Sequence, residues 1–210
     1  MTTPAPRRTQ AQRREATITA LVDAAVAALG EVGYARTTTN EIARRAGVSQ
    51  GGLFRHFESR LDVILAAADA VRARQFDDFR TGLGAMPELD IGEVVRLLRR
   101  ATRAPINAAW YELLVAARTD SALRQRLEPL AQRYHEEIIE LGRALPFAAA
   151  MPQVELDTIV LGIVHMLDGE ALTATVYPHP EQEDVRVEQL VRILAGQPLF
   201  QRASSRPGQA

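Results

Sequence analysis

Apolar residues recur at intervals of three and four along most of the chain, which is the spacing of one face of an α-helix. The first such stripe runs from Ile18 to Leu29, and Gly30 and Gly33 predict its end. The same spacing predicts further helices over residues 60–81, 91–104, 106–118, 121–145, 153–176 and 183–195. No segment alternates apolar and polar residues as a half-buried strand does, so the sequence predicts an all-α protein.

Polar residues mark the starts and ends of these helices. Three pairs have the spacing of a capping box, namely Thr38 with Glu41, Ser59 with Asp62, and Asp90 with Glu93. Glycine or proline interrupts the apolar spacing at residues 82–87, at Pro146 and at 178–180. Residues 1–10 and 197–210 have no helical spacing, and we expect them to be disordered tails.

A sharp turn between two short helices is predicted just before the helix that begins near residue 60. Gly47 can adopt a positive φ at little steric cost, and Ser49 can cap the helix that follows. Val48 is placed to fill the space between the two helices. Leu53 and Phe57 lie four residues apart, so they would face the core and leave the intervening side chains outside.

The segments GYARTTTNEIARRAGVS and GGLFRHFESRLDVI, following the first amphipathic helix, resemble the tetracycline-repressor (TetR) family of bacterial regulators. The resemblance extends from about Ile18 to Leu65. It implies an all-α fold of about nine helices, with a three-helix helix-turn-helix DNA-binding domain followed by a helical ligand-binding and dimerisation domain. We therefore predict these domains over residues 11–60 and 61–196.

The second of the two short helices has the composition of a DNA-reading element. Gln50 carries a donor and an acceptor that suit adenine, and Gly51 and Gly52 would let the backbone approach the duplex closely. The resemblance implies that Thr39 and Asn40 touch DNA. The full set of predicted DNA-contacting residues is Thr39, Asn40, Arg44, Gln50, Gly51, Gly52, Phe54, Arg55, His56 and Arg60.

Two of these positions depart from the family pattern, which commonly has Tyr at Phe54 and Thr or Ser at Gly52, so two hydroxyl contacts would be missing. For Arg44, ordinary solvated surface is an equal alternative. Two packed helices with no DNA partner are the alternative for the whole stretch, because small residues at a helical corner occur in many proteins.

Charge is distributed unevenly along a chain of net charge −1. Residues 1–60 contain nine Arg and five acidic residues, whereas residues 61–210 contain sixteen Arg and twenty-one acidic residues. A basic first part and an acidic remainder are typical of a protein that places one end on DNA. Arg7, Arg8, Arg13 and Arg14 would form either an arm along DNA or a solvated basic tail. Scatter of surface charge is the alternative for the whole distribution.

The last two long helices each carry an apolar stripe. The TetR resemblance implies that these helices pair with their copies in a homodimer, and packing within one chain is the alternative. Two-fold symmetry would favour a roughly palindromic operator. The predicted dimer-interface residues are Leu156, Ile159, Val160, Ile163, Val164, Leu167, Val187, Leu190, Val191 and Leu194.

A small-molecule pocket in the helical body is suggested by its aromatic residues and a few polar ones, which is the usual composition of such a site. Ordinary core packing is the alternative for each of them. The candidate ligand-binding residues are Phe76, Phe79, Trp110, Tyr111, Leu114, Tyr134, His135, His165 and Asp168.

Enzymatic chemistry is not indicated. The chain has no cysteine, no His-Glu-x-x-His pattern and no phosphate-binding glycine loop, and the pair His165 and Asp168 alone is a weak metal signal. We predict no cofactor and no metal. Because no apolar run of about eighteen residues exists and the N-terminus has no apolar signal-peptide core, we also predict no membrane span and a cytoplasmic protein.

The function that fits these features is a dimeric repressor that a small-molecule effector releases from DNA. A helical module that contacts protein instead of DNA is the alternative.

Overall fold

The structure, a computed structural model, describes residues 9–196, with Ala150 described in its backbone only. Within this range nine α-helices and one short 3-10 helix account for the regular structure, and no strand is present, so the all-α prediction is confirmed. None of the described helices is long and apolar enough to span a membrane. The α-helices are α1 Gln10–Val32, α2 Thr39–Ala46, α3 Gln50–Leu53, α4 Arg60–Gly84, α5 Ile91–Thr102, α6 Asn107–Ala116, α7 Ser121–Arg143, α8 Gln153–Ala174 and α9 Pro180–Gly196, and the 3-10 helix is Pro146–Ala150.

The first helix is longer than predicted at both ends. Thr9 caps α1 and Gln10 begins it, so the predicted tail over residues 1–10 is wrong at its last two residues. Gly30 lies inside the helix, and the chain leaves the helix at Gly33, where φ is +80°. Such a φ favours glycine, which explains why Gly33 and not Gly30 ends α1. Arg13 and Arg14 are therefore helical.

The predicted tail over 197–210 and the residues Arg7 and Arg8 of the predicted basic arm lie outside the described residues.

The chain folds into two compact units that are not consecutive in sequence. Of the described residues, the first unit comprises those up to Ala73 together with Pro105–Leu127, and the second comprises Arg74–Ala104 together with those from Glu128 to Gly196. This division differs from the predicted boundary after residue 60, because α6 packs on α1 and belongs to the first unit. The predicted domain boundary stays a prediction.

The core of the first unit forms where α1 packs against α2 and α6, and where α2 packs against α3. Leu21, Ile42, Leu53 and Leu113 bring one apolar side chain each from these four helices, and all four are fully buried. Burying a side chain of this size stabilises the fold by about 1.5–3 kcal/mol. Leu53 anchors the short α3, which is too short to be stable by itself.

The core of the second unit forms where α5 packs against α8 and α9. All ten predicted dimer-interface residues belong to its two apolar clusters, either as buried members or packed against them. Half of them are buried within the chain, and the other half are only partly buried, so their contact with a second chain stays a prediction. The outer faces of α8 and α9 carry a different apolar set, namely Val154, Met166, Leu172, Val185 and Ile193.

Candidate DNA-binding surface

Local hydrogen bonds fix the turn between α2 and α3 as the sequence predicted. The Thr38 hydroxyl accepts a hydrogen bond from the N–H of Glu41 at 3.2 Å and caps α2. Gly47 ends that helix in the left-handed conformation, with φ +68°. The Ser49 hydroxyl then accepts from the N–H of Gly52 at 3.0 Å and caps α3.

The second helix of this pair is shorter than the periodicity suggested. It ends at Leu53, which is fully buried, and the chain continues as a turn through Phe54, Arg55 and His56. The N–H of Phe57 still donates to the carbonyl of Leu53 at 3.1 Å, and the Phe57 ring is half-buried. Leu53 and Phe57 therefore lie on the inner side of the turn, while Phe54 and Arg55 are exposed.

One continuous set of outward residues follows from this arrangement, and we call it the recognition surface. It consists of Thr39 and Asn40 on α2 together with Gln50, Gly51, Phe54 and Arg55. The two helices meet here, because the Gln50 side-chain amide donates to the Thr39 hydroxyl at 3.2 Å. A Cβ added to Gly51 would meet no atom within 4 Å, so its backbone is open to an approaching partner.

Two arginines of α2 have different surroundings. The Arg44 side chain is 69% exposed and pairs with Glu41 at 2.7 Å. Arg45 is only 18% exposed and connects Glu41 to Glu31 of α1, at 2.6 and 2.7 Å. Hydrogen bonds from Arg44 and then Arg45 lower the pKa of the Glu41 carboxyl to about 2. Glu41 therefore stays charged and offsets part of the positive charge that α2 presents.

Arg60 and His56 do not lie on the recognition surface. Arg60 donates from Nε to the carbonyl of Thr37 at 2.7 Å and from Nη2 to the carbonyl of Tyr34, and it stacks 4.2 Å from the centre of the Tyr34 ring. His56 is half-buried, and its Nδ1 is buried without a hydrogen-bond partner among the described residues. The Nε and Nη2 donors of Arg60 hold the loop before α2, and its contact with DNA stays a prediction.

A second set of contacts, which no local sequence pattern predicts, holds the same loop. The Tyr34 N–H donates to Glu112 of α6 at 2.6 Å, and the Tyr34 hydroxyl donates to Asp120 at 2.9 Å. Gly33 lies so close that a Cβ there would be 2.9 Å from the Glu112 carboxylate. We call Tyr34, Arg60, Glu112 and Asp120 the loop anchor.

The contacts of the loop anchor shift the pKa values of two of its own residues, Tyr34 and Asp120. Burial and the Asp120 hydrogen bond raise the pKa of Tyr34. The N–H of Leu123 and then the Tyr34 hydroxyl lower the pKa of Asp120. Glu112 and Asp120 follow Tyr34 by 78 and 86 residues, which is beyond the reach of local sequence patterns.

Comparison with known proteins decides the family. A sequence model described as bacterial regulatory proteins, tetR family, matches residues 21–67. An uncharacterized HTH-type transcriptional regulator of Mycobacterium tuberculosis is 39% identical over 189 residues, covering 89% of this chain and 97% of that protein. The chain belongs to the tetR family of transcriptional regulators. The family consists of regulators with a helix-turn-helix DNA-binding domain and not of enzymes.

Two solved structures share the tetR-family fold. A transcriptional regulator from Rhodococcus sp. Rha1 aligns with a TM-score of 0.62 at 20% identity, covering 92% of this chain and 99% of the other. The multidrug binding protein EbrR complexed with ethidium aligns with a TM-score of 0.61 at 24% identity, covering 84% and 98%. At these identities the likeness concerns the fold alone.

Within this tetR-family chain, the departure at Gly52 has a local consequence. A Cβ at Gly52 would lie 3.3 Å from the Ser49 hydroxyl and 3.6 Å from the Val48 Cβ. A larger residue would therefore need the helix cap to shift by a few tenths of an ångström. Phe54 is 48% exposed, so this ring can meet a partner by apolar contact but not by a hydroxyl.

The nine candidate ligand-binding residues are divided between the units. Trp110, Tyr111 and Leu114 belong to the first unit, and the other six belong to the second. In the second unit the rings of Phe76 and Tyr134 pack with centroids 5.3 Å apart.

The remaining four candidates also lie in the second unit. Phe79 packs against the larger apolar cluster rather than against Phe76. The imidazoles of His135 and His165 meet at 3.2 Å, and the negative charge of Asp168 acts on Tyr134.

A separate groove of about 430 Å³ lies in the second unit, between the end of α8 and the start of α9. None of the candidate ligand-binding residues lines it. Its charged lining residues are Glu170, Glu183 and Arg186, and Tyr177 and Met166 contribute apolar surface. Arg103 donates to both Glu170 and Glu183, at 2.9 and 2.7 Å, so these carboxylates are already paired.

Proposed function

We propose that this regulator reads DNA through the recognition surface and acts as a repressor in the cytoplasm, where bacterial DNA lies. The observation that carries the proposal is the exposed junction of Gln50 and Thr39 beside the open backbone of Gly51. A side-chain amide suits hydrogen bonding to a base edge in the major groove. Arg55 and Arg44 add positive charge nearby, which suits phosphate contacts.

A gel-shift titration with DNA from upstream of the regulator's own gene and neighbouring genes tests this proposal. We expect one fragment to be retarded at lower protein concentration than a scrambled fragment of equal length. Affinity should fall steeply with salt, because each phosphate contact releases counterions. Equal affinity for every fragment, or no retardation at low salt, would contradict sequence-specific binding.

We also propose that the repressor is a homodimer formed by the outer faces of α8 and α9. Support comes from the apolar side chains exposed there, including Met166 at 43% and Ile193 at 62%. Exposed apolar residues grouped on two helices are typical of protein interfaces. A dimer of this kind would carry two recognition surfaces related by a two-fold axis, which favours a roughly palindromic operator.

Release from DNA by a small-molecule effector is the third part of the proposal. One support is the set of aromatic residues in the predicted ligand-binding domain. Another is the tetR-family fold that the ethidium-bound protein EbrR shares with this chain. The candidate residues remain the nine divided between the two units. An effector that favours one conformation by 1–3 kcal/mol, about 5–150-fold, would be sufficient for regulation.

A thermal-shift screen, run with and without operator DNA, tests for an effector. A true effector should raise the melting temperature of the free protein and lower the affinity for the operator. Compounds that stabilise the protein and leave operator binding unchanged would argue against release. Tighter operator binding would identify a corepressor instead.

A further inference from the structure

Two histidines that are distant in sequence meet in the second unit. The Nε2 atoms of His135 on α7 and His165 on α8 lie 3.2 Å apart. The rings are perpendicular and their centroids are 5.3 Å apart, so each Nε2 points toward the other ring. The His165 side chain is exposed and that of His135 is half-buried, which leaves the pair open to solvent on one side.

This separation fits two ligands of one metal ion. Nitrogen atoms bound to tetrahedral zinc at 2.0–2.1 Å lie about 3.3–3.4 Å from each other. The observed 3.2 Å would need a change of only one or two tenths of an ångström. Coordination also requires the two Nε2 lone pairs to converge on one point, so both rings would have to turn from their present head-on orientation.

The surroundings add negative potential. Asp168 lies one turn beyond His165 on α8, so its carboxylate adds negative charge to this part of the helix. Among the described residues no group of three or more His, Asp or Glu side chains is arranged around a possible ion. A metal ion would therefore have two protein ligands and would complete its coordination with water.

We propose that His135 and His165 form a binding site for a divalent late transition metal such as Zn²⁺ or Cu²⁺, the class of ions that imidazole prefers. In the empty pair, one of the two Nε2 atoms carries the proton of the hydrogen bond. On metal binding that ring would carry its proton on Nδ1 instead, so the pair neither gains nor loses a proton. The ion would connect α7 to α8 inside the second unit.

Calorimetric titration of the full, tag-free chain with ZnCl₂ in the absence of DNA tests the proposal. We expect one Zn²⁺ per chain in the wild type, with affinity falling below the ordinary imidazole pKa of about 6.5. Loss of a supporting partner of a metal ligand typically costs about 10–100-fold in affinity. His135→Ala and His165→Ala, which remove a ligand, should each cost at least as much.

The chain provides a matched control in His179, a histidine near the start of α9 whose ring contacts Tyr177. His179→Ala should bind Zn²⁺ as the wild type does.

With Cu²⁺, electron paramagnetic resonance should show coupling to two nitrogen nuclei in the wild type and to one in His165→Ala. Circular dichroism of His165→Ala should match the wild type, since this side chain is exposed.

Binding by the wild type that is no tighter than that of the double variant His135→Ala/His165→Ala would overturn the proposal. So would an equal loss of affinity in His179→Ala. Because no DNA is present in these titrations, their outcome is independent of whether the chain binds an operator.

Discussion

Two glycines of the helix-turn-helix are present for different physical reasons. Gly47 has a φ of +68°, which L side chains rarely adopt, although a Cβ there would meet no atom within 4 Å. Gly51 lies in α3 at an ordinary helical φ, and a Cβ there would also meet open space. The first is therefore needed for the turn itself, whereas the second leaves room for a partner.

Exchanging each of these glycines for alanine separates folding from DNA contact. Gly47→Ala should lower the free energy of unfolding by about 1–2 kcal/mol, the cost of a left-handed conformation. Gly51→Ala should raise it by up to about 0.5–1 kcal/mol, because glycine is a poor helix former. We expect Gly51→Ala nevertheless to bind operator DNA more weakly. Urea unfolding and gel shifts measure the two effects, and unchanged DNA affinity would remove Gly51 from the recognition surface.

Two arginines close in sequence should also behave differently. Arg60 is held by backbone carbonyls and the Tyr34 ring, whereas Arg55 is exposed on the recognition surface. Arg60→Ala leaves half-buried carbonyls unsatisfied and should destabilise the protein by about 1–3 kcal/mol.

Arg55→Ala should change the stability by less than about 0.5 kcal/mol. It should instead reduce the salt dependence of DNA binding by about one unit of the log–log slope. Unfolding curves and salt titrations of both variants provide the comparison. If Arg60→Ala altered only the salt slope, Arg60 would be a phosphate contact and not a support of the loop.

Among the elements, the loop before α2 is held most closely by residues that come later in the chain. Glu112 of α6 and Asp120, just before α7, both bind Tyr34 within the first unit. Asp120 also accepts from the N–H of Leu123, so one carboxylate supports the start of α7 and the loop together. The position of α2 therefore depends on α6 and α7 as well as on its own helix-turn-helix neighbours.

Acid unfolding tests this connection. The folded-state pKa of Asp120 is lowered, so its contribution to stability is present above its ordinary pKa of 3.8 and is lost as the pH falls through the lower folded value. Tyr34→Phe removes one cause of this lowering. We expect the variant to be less stable at pH 7, and its stability to fall less between about pH 4 and pH 2 than that of the wild type.

Tyr177→Phe, which alters an exposed hydroxyl, is the control for the acid-unfolding series. Parallel pH curves for Tyr34→Phe and the wild type would mean that the hydroxyl does not stabilise the charged Asp120.

The elements that sequence predicted well are those fixed by near neighbours. Thr38, Gly47 and Ser49 act within four residues of themselves, so their caps and turn follow from local chemistry. Gly30 was misassigned as a helix end, because composition alone does not show which of two glycines has the positive φ.

Contacts between residues that are distant in sequence could not be predicted from local sequence patterns. The Tyr34 bond to Glu112 joins residues 78 positions apart, and the pairing of His135 with His165 joins residues 30 positions apart. Helical spacing shows that α8 has an apolar face, but it does not show what covers that face. Half of the ten stripe residues of α8 and α9 are buried within their own chain and half are only partly buried, so helical spacing alone does not decide which of them a second chain would cover.

For the whole molecule, the central question is what covers the remaining apolar surface. Met166 and Ile193 are exposed on α8 and α9, and Val115 is 47% exposed on α6. If the outer faces of α8 and α9 join two copies, a buried charge there should prevent association, because burying an unpaired carboxylate is costly. Met166→Glu and Ile193→Glu should then sediment as monomers in analytical ultracentrifugation.

Val115→Glu adds the same charge elsewhere and should remain a dimer like the wild type. The monomeric variants should also lose most of their operator affinity, because each half-site is then bound independently. Dimers of Met166→Glu and Ile193→Glu that are as stable as the wild type would place the interface on another surface.

In vitro selection of random DNA by the purified chain tests the DNA-reading role most directly. We expect an enriched site of two inverted half-sites whose centres lie about 10–10.5 base pairs or a multiple apart. Gln50→Ala should lose preference at one position in each half-site, at a cost of about 1–3 kcal/mol, while Gln125→Ala, an exposed glutamine of α7, should select the wild-type site. No enriched sequence, or the same site selected by Gln50→Ala at unchanged affinity, would contradict DNA reading through this surface.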